Sequence, residues 1–165
     1  MKCRVPERQR VLNPLARGVI RRQLGDCAEL TLAEVWGWGD KRLREIRKDV
    51  QAMYDHYDPM YPDAHDYIRA LLSLFEREGG DVYPVRQGSG EKVLVGREHD
   101  IVYLCYIYQL RRRGYGVNRI ELFSKELSTR IRYYNHTFDD APGYVLEVIE
   151  NRLESRGIRL GGDAR

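Results

Sequence analysis

Two glycines enclosing an aromatic residue break the chain twice, 77 residues apart, as VWGWGDKRLREI at 35–46 and RRGYGVNRIELF at 112–123. Gly37, Trp38, Gly39, Arg42, Leu43 and Ile46 are echoed by Gly114, Tyr115, Gly116, Arg119, Ile120 and Phe123. Slid over one another without a gap, 37–80 and 114–157 share nine identities in 44 positions, against about three expected from composition. The pairs Leu43/Ile120, Val50/Leu127, Ile68/Val145 and Leu72/Ile149 are apolar at helical spacing. An internal duplication explains this best; the competing reading is two helical hairpins that share a pattern without a common origin.

Each unit reads as three helices. Asn13 before Pro14 is a helix start, and Leu15, Val19, Ile20 and Leu24 carry the first helix toward a possible break near Gly25. After the Gly-Trp-Gly turn, Asp40 is placed to cap a second helix with the stripe Leu43, Ile46, Val50, Met53 and Tyr57. The prolines of DPMYP end it, and Asp63 opens a third helix with Tyr67, Ile68, Leu71, Leu72 and Phe75 inward, closed by Gly79 and Gly80. The second unit repeats this near 98–113, 117–134 and 140–156. The expected fold is mainly α: a first unit at 1–80 with a basic N-terminal segment, a linker at 81–97 and a second unit at 98–165. Within the linker, VYPVR and KVLVG flank a Gly-Ser-Gly turn and fit a short β-hairpin, the favoured reading, whereas Pro84 within the first run argues for an edge strand or an ordered linker instead.

The overall charge of +3 conceals a pattern. Lys and Arg outnumber Asp and Glu by 12 to 6 over 1–48 and trail by 2 to 7 over 49–80; the counts are 7 to 4 over 98–138 and 4 to 6 over 139–165. Basic then acidic occurs twice, which points to one electropositive face. No run approaches the roughly 18 apolar residues of a membrane span, and MKCRVPERQR has no apolar signal core. Cytoplasmic residence without membrane attachment is expected. Cys3, Cys27 and Cys105 form neither a disulfide framework nor a metal-ligand spacing, and the latter two lie in apolar helical pattern.

The window 29–48, ELTLAEVWGWGDKRLREIRK, resembles the DNA-binding helix-turn-helix pattern. Ala33 stands where two helices cross closely, Gly37 at the turn, and Leu43 and Ile46 where the second helix packs inward. A second helix carrying Lys41, Arg42, Arg44, Arg47 and Lys48 offers cations for phosphates and guanidinium forks for guanine edges. Arg111, Arg112, Arg113 and Arg119 complete the expected nucleic-acid-binding set. The competing reading is a helix corner whose ring plugs the core, with Arg42 and Arg119 bonded to carbonyls of the preceding helix. Leu110, bulky at the position equivalent to Ala33, argues that the second unit does not keep the tight crossing. Residues 28–78 also resemble small uncharacterised proteins of phages and prophages of Gram-positive bacteria that carry an FGFGxxRL segment, here with Trp at both Phe positions. That resemblance implies a mobile-element setting, in which small proteins regulate transcription or disable host defence machinery.

Asp55, His56, Asp58, Asp63, His65 and Asp66 in DHYDPMYPDAHD, partly echoed by His136, Asp139 and Asp140, could bind a metal. Both loops precede a helix, where Asp is favoured by capping and by the helix dipole, so no metal is assigned. QGSGEK lacks the spacing of a P-loop, and no nucleophile elbow, Cys-His signature or dinucleotide motif is present, so neither an enzyme nor a cofactor is expected. The twelve tyrosines serve either as borders of a helical core or, with arginine, as interface rings. Two functional classes remain: a nucleic-acid-binding regulator using its basic helices, and a protein-binding inhibitor of a host nucleic-acid or defence enzyme. A homodimer is compatible with both.

Overall fold

A computed structural model of the chain describes residues 12–77 and 90–160. All regular structure among them is helical: α1 Pro14–Trp36, α2 Asp40–Tyr57, α3 Ala64–Arg77, α4 Glu91–Arg112, α5 Val117–Thr137 and α6 Tyr144–Ser155. The Leu15 N–H donates to Asn13 Oδ1 at 2.8 Å, and Pro14 at the first turn loses no helical hydrogen bond. At α3, Asp63 Oδ1 accepts from the N–H groups of His65 and Asp66. That cap satisfies two of the four N–H donors a helix start leaves unpaired.

Several local expectations give way. Helix α1 runs through Gly25 without a break, with the Tyr106 hydroxyl of α4 lying 3.5 Å from the Gly25 carbonyl oxygen. A glycine inside a helix costs only about 1 kcal/mol, which the burial of 26–33 on every side readily offsets. Asp40 is already the first helical residue of α2 and makes no cap bond to its own helix; the N-cap is Gly39. The run KVLVG is the first part of α4, not a strand, so the helix begins at Glu91 rather than near 98. Its β-branched residues are overridden by tertiary burial of Leu94, Glu98 and Ile101, which lie on one helical face. The other half of the expected hairpin, 82–86, lies outside the described residues. Helix α6 begins at Tyr144 instead of 140, because Pro142 and Gly143 hold the preceding segment in turns.

Helices α1 and α4 form the centre. Both are buried around most of their circumference over 26–33 and 101–110, as expected for helices packed on several sides. Their partners cross over. Helix α3 packs on α4, and α2 packs on α4 more extensively than on α1; α5 and α6 pack on α1. One core cluster consequently contains residues of all six helices, including Leu30, Leu43, Tyr67, Ile107, Phe123 and Ile149. Within the expected units, the described residues 12–77 and 98–160 therefore share one core.

A buried ionic network ties the ends of this arrangement. Glu98, 2% exposed, accepts from Arg17 Nε at 3.0 Å and from Arg21 Nε. The Arg21 guanidinium also forks onto Asp58 at 2.7 and 3.0 Å. Burial alone would lower the Arg21 pKa, but the Asp58 and Glu98 carboxylates outweigh it and raise it. The acidic loop after α2 is thus held by arginine.

Cys27 and Cys105 are buried free thiols, and burial pushes Cys27 up to about 12 and Cys105 higher still. Both should resist a thiol-specific reagent at pH 8 in the native protein and react on unfolding. Because the folded thiols stay protonated while the unfolded ones ionise near 9.0, stability should be full below pH 9 and fall as pH rises toward about 12. Equal labelling rates for native and unfolded thiols at 27 and 105 would contradict their placement.

Candidate nucleic-acid interface

The first turn ends α1 with Gly37 in the left-handed conformation, φ 65°, a region that a side chain disfavours. Its N–H donates to the Ala33 carbonyl at 3.0 Å, and that of Trp38 to Leu32 at 3.3 Å. The second turn uses Gly114 at φ 86° but bonds differently: the Gly114 and Tyr115 N–H groups donate to Arg111 and Leu110, a Schellman pattern. Both turns deliver an uncapped helix whose N-cap is glycine, Gly39 for α2 and Gly116 for α5.

The two turns meet. The Trp38 and Tyr115 rings lie 5.8 Å apart, and Trp36 bridges them to Phe123, with centroids 4.9 Å from Tyr115 and 6.2 Å from Phe123. Trp38 is 3% exposed, as a core plug should be, whereas Tyr115 is half-buried. Each ring therefore packs against the other turn as well as its own. Arg42 stands 4.4 Å over the Trp38 ring and donates from Nη2 to the Tyr115 hydroxyl at 3.2 Å, while Arg119 stands 5.2 Å over Tyr115. The recorded contacts of these arginines are with rings and a hydroxyl, not with carbonyls of the preceding helix. Cation–π geometry keeps both guanidiniums exposed while fixing their stems.

The nine basic residues divide into four groups. Lys41, Arg44 and Lys48 are exposed on the side of α2 opposite the buried Leu43, Ile46 and Val50. Spacings of three and four place them on one face. Arg44 pairs with Asp40 at 2.9 Å, a surface contact of little energy. Arg42 and Arg119 sit at the aromatic junction. Arg111 and Arg112 stand over Phe75 and Tyr108, at 5.5 and 5.8 Å.

Arg47 and Arg113 are differently employed. Arg47 grips the buried Glu29 with two hydrogen bonds of 2.6 and 3.0 Å and reaches the Arg159 carbonyl at 3.1 Å. Arg113 donates to Asp49 and, at 3.1 Å, to both oxygens of Gln109. These two arginines hold α2 to α1 and α4, and like Arg111 they are half-buried, whereas Lys41, Arg42, Arg44, Lys48, Arg112 and Arg119 are exposed. The chain after α6 also reaches this region. The Arg159 N–H donates to Asp40 at 2.7 Å and, with the nearby Arg44, lowers the Asp40 pKa.

Three carboxylates of the first acidic loop have structural partners. Asp58 is held by Arg21, Asp63 caps α3, and Asp55 accepts from Gln51 at 3.0 Å. Among the described residues no three His, Cys, Asp or Glu side chains gather closely enough to hold a metal ion. None of the helices described is long and apolar enough to cross a membrane.

No protein-family model, curated protein or solved structure matches this chain.

Proposed function

We propose that this protein is a nucleic-acid-binding regulator of a phage or other mobile element, acting in the cytoplasm, with α2 as its principal contact helix. The observation that carries the reading is the exposed row Lys41, Arg44 and Lys48 on a helix that follows a left-handed glycine turn and is anchored by Leu43 and Ile46. Such a row contributes sequence-independent attraction to phosphates, and Arg42 and Arg119 extend it across the junction of the two turns. The helix-turn-helix pattern supports placing α2 in a major groove. We further propose that the chain arose by duplication, a reading supported by the shared glycine turns and by the arginine-on-ring contact at both.

Binding of duplex DNA, measured across a salt series, tests the reading. Phosphate contacts from Lys41, Arg44 and Lys48 alone should give a slope of log affinity against log salt of about −2.7, since each contributes about −0.9, and Arg42 and Arg119 should steepen it. An absence of binding at low salt, or a flat slope, would overturn it.

One observation favours the second reading, a protein-binding inhibitor. Val117, Leu122, Tyr133 and Tyr144 are exposed apolar side chains on α5 and α6, and tyrosine is among the residues that protein interfaces favour. A nuclease-resistant complex captured from host extract, combined with no duplex affinity, would select it.

A further inference from the structure

A cleft of about 510 Å³ opens between α2, α3 and the end of α4, lined by Met53, Tyr57, Tyr108, Gln109 and Arg112 among others. Its volume lies within the roughly 300–1,000 Å³ of small-molecule sites. The floor is apolar and aromatic: Met53 is buried, and Tyr57 and Tyr108 are half-buried with surface remaining toward the cleft.

Gln109 lies in this floor, 5% exposed. Its carboxamide oxygen is taken by Arg113 at 3.1 Å, but its amide nitrogen is directed at the Met53 thioether sulfur at 3.3 Å. A thioether is a weak acceptor. A ring nitrogen or carbonyl oxygen entering the cleft would give this amide a stronger partner than the sulfur does.

At the mouth the chemistry changes to cationic. Arg112 is exposed, with its guanidinium 5.8 Å from the Tyr108 centroid, and the exposed His56 meets Tyr57 edge-on at 5.0 Å. Asp49, the carboxylate at this rim, is already engaged by Arg113. An apolar, aromatic floor, a buried donor and a cationic mouth are complementary to a planar heterocycle that carries a phosphate. A simple anion would leave the rings unused, and a hydrocarbon would leave Gln109 and Arg112 unused.

We propose that this cleft binds one nucleotide unit, its base against Tyr57 and Tyr108 with an edge toward Gln109, and its phosphate at Arg112. The unit comes either from a strand, as an unstacked nucleotide, or from solution, as a free effector; only the first source rests on the nucleic-acid reading above. Base–aromatic stacking and an arginine–phosphate contact supply the attraction in both cases.

The test is an NMR titration of the full chain, following the His56 imidazole resonances, with each of the four nucleoside 5′-monophosphates, their nucleosides, inorganic phosphate and a single-stranded octanucleotide. At least one monophosphate or the strand should saturate the shift, and a monophosphate should bind about tenfold more tightly than its nucleoside. Arg112→Ala should remove that advantage and leave nucleoside binding unchanged. Ala52→Trp, at an exposed position of the cleft wall, should abolish binding by filling the cleft in a protein that still melts cooperatively. A shift produced equally by phosphate alone, no saturable shift with any nucleotide or strand, or full nucleotide affinity in folded Ala52→Trp would overturn the proposal. Duplex affinity of the unmodified protein separates the two readings: nucleotide binding without duplex binding keeps the cleft and removes the α2 interface, and the reverse removes the cleft alone.

Discussion

Replacing Trp38 by Ala should destabilise the protein by on the order of 3–5 kcal/mol, the usual cost of truncating a large buried ring. The side chain is 3% exposed and lies where α1, α2 and the second turn converge, within 6.5 Å of Trp36 and 5.8 Å of Tyr115. Its removal would empty the contact between the two turns and release Arg42 from the ring beneath it. For a chain of this length the melting temperature should fall by roughly 10 °C. The corresponding Tyr115→Ala change should cost less, because that ring is only half-buried. A Trp38→Ala protein that melts within a degree or two of the parent would show that the turns do not depend on this packing.

Arg47→Ala should be comparably damaging, at about 3–5 kcal/mol, because it strips a buried carboxylate of its forked partner. Glu29 is 1% exposed and receives both prongs of the Arg47 guanidinium. Burial by itself would lower the Arg47 pKa; the Glu29 carboxylate outweighs that and raises it. Adding Glu29→Gln to Arg47→Ala should recover part of the loss, since the buried negative charge that Arg47 balanced is then gone. Arg47→Lys should fall between, because a single ammonium cannot reproduce the fork. Equilibrium denaturation of the four proteins checks the order. If Arg47→Ala unfolds at the parent midpoint and loses only duplex affinity, Arg47 belongs to the binding face and not to the framework.

That contrast shows where reading the chain succeeds and where it stops. The glycine breaks, the inward stripe Leu43, Ile46 and Val50, the Asp63 cap and the burial of Cys27 and Cys105 follow from local periodicity and capping, and the structure has each of them. The crossing of partners between α1 and α4 does not. Over 26–33 and 101–110 those helices are buried nearly all round, so they lack a one-sided stripe there to announce which neighbours they take, and their buried Asp26, Glu29 and Glu98 read as surface charge. Arg47 and Arg113 fail to stand out for the same reason: the carboxylates they grip, Glu29 and Asp49, lie 18 and 64 residues away on other helices, which no helical period reports. The signal available for Glu29 was its position inside an apolar run, between Ala28 and Leu30. The true start of α4 is not legible in the sequence because Val93 and Val95 favour strands, while the burial of Leu94 and Glu98 that decides the matter is tertiary.

The most direct measurement of the proposed role compares the parent with the triple variant Lys41→Ala, Arg44→Ala, Lys48→Ala in duplex binding across a salt series. All three side chains are exposed and oppose the core, so the variant should keep its melting behaviour. Its affinity should fall, and its dependence on log salt should flatten by about one unit for each phosphate contact removed, roughly three in all. A folded triple variant with the parent's affinity and the parent's slope would contradict α2 as the nucleic-acid interface and turn the assignment to the protein-binding surface of α5 and α6.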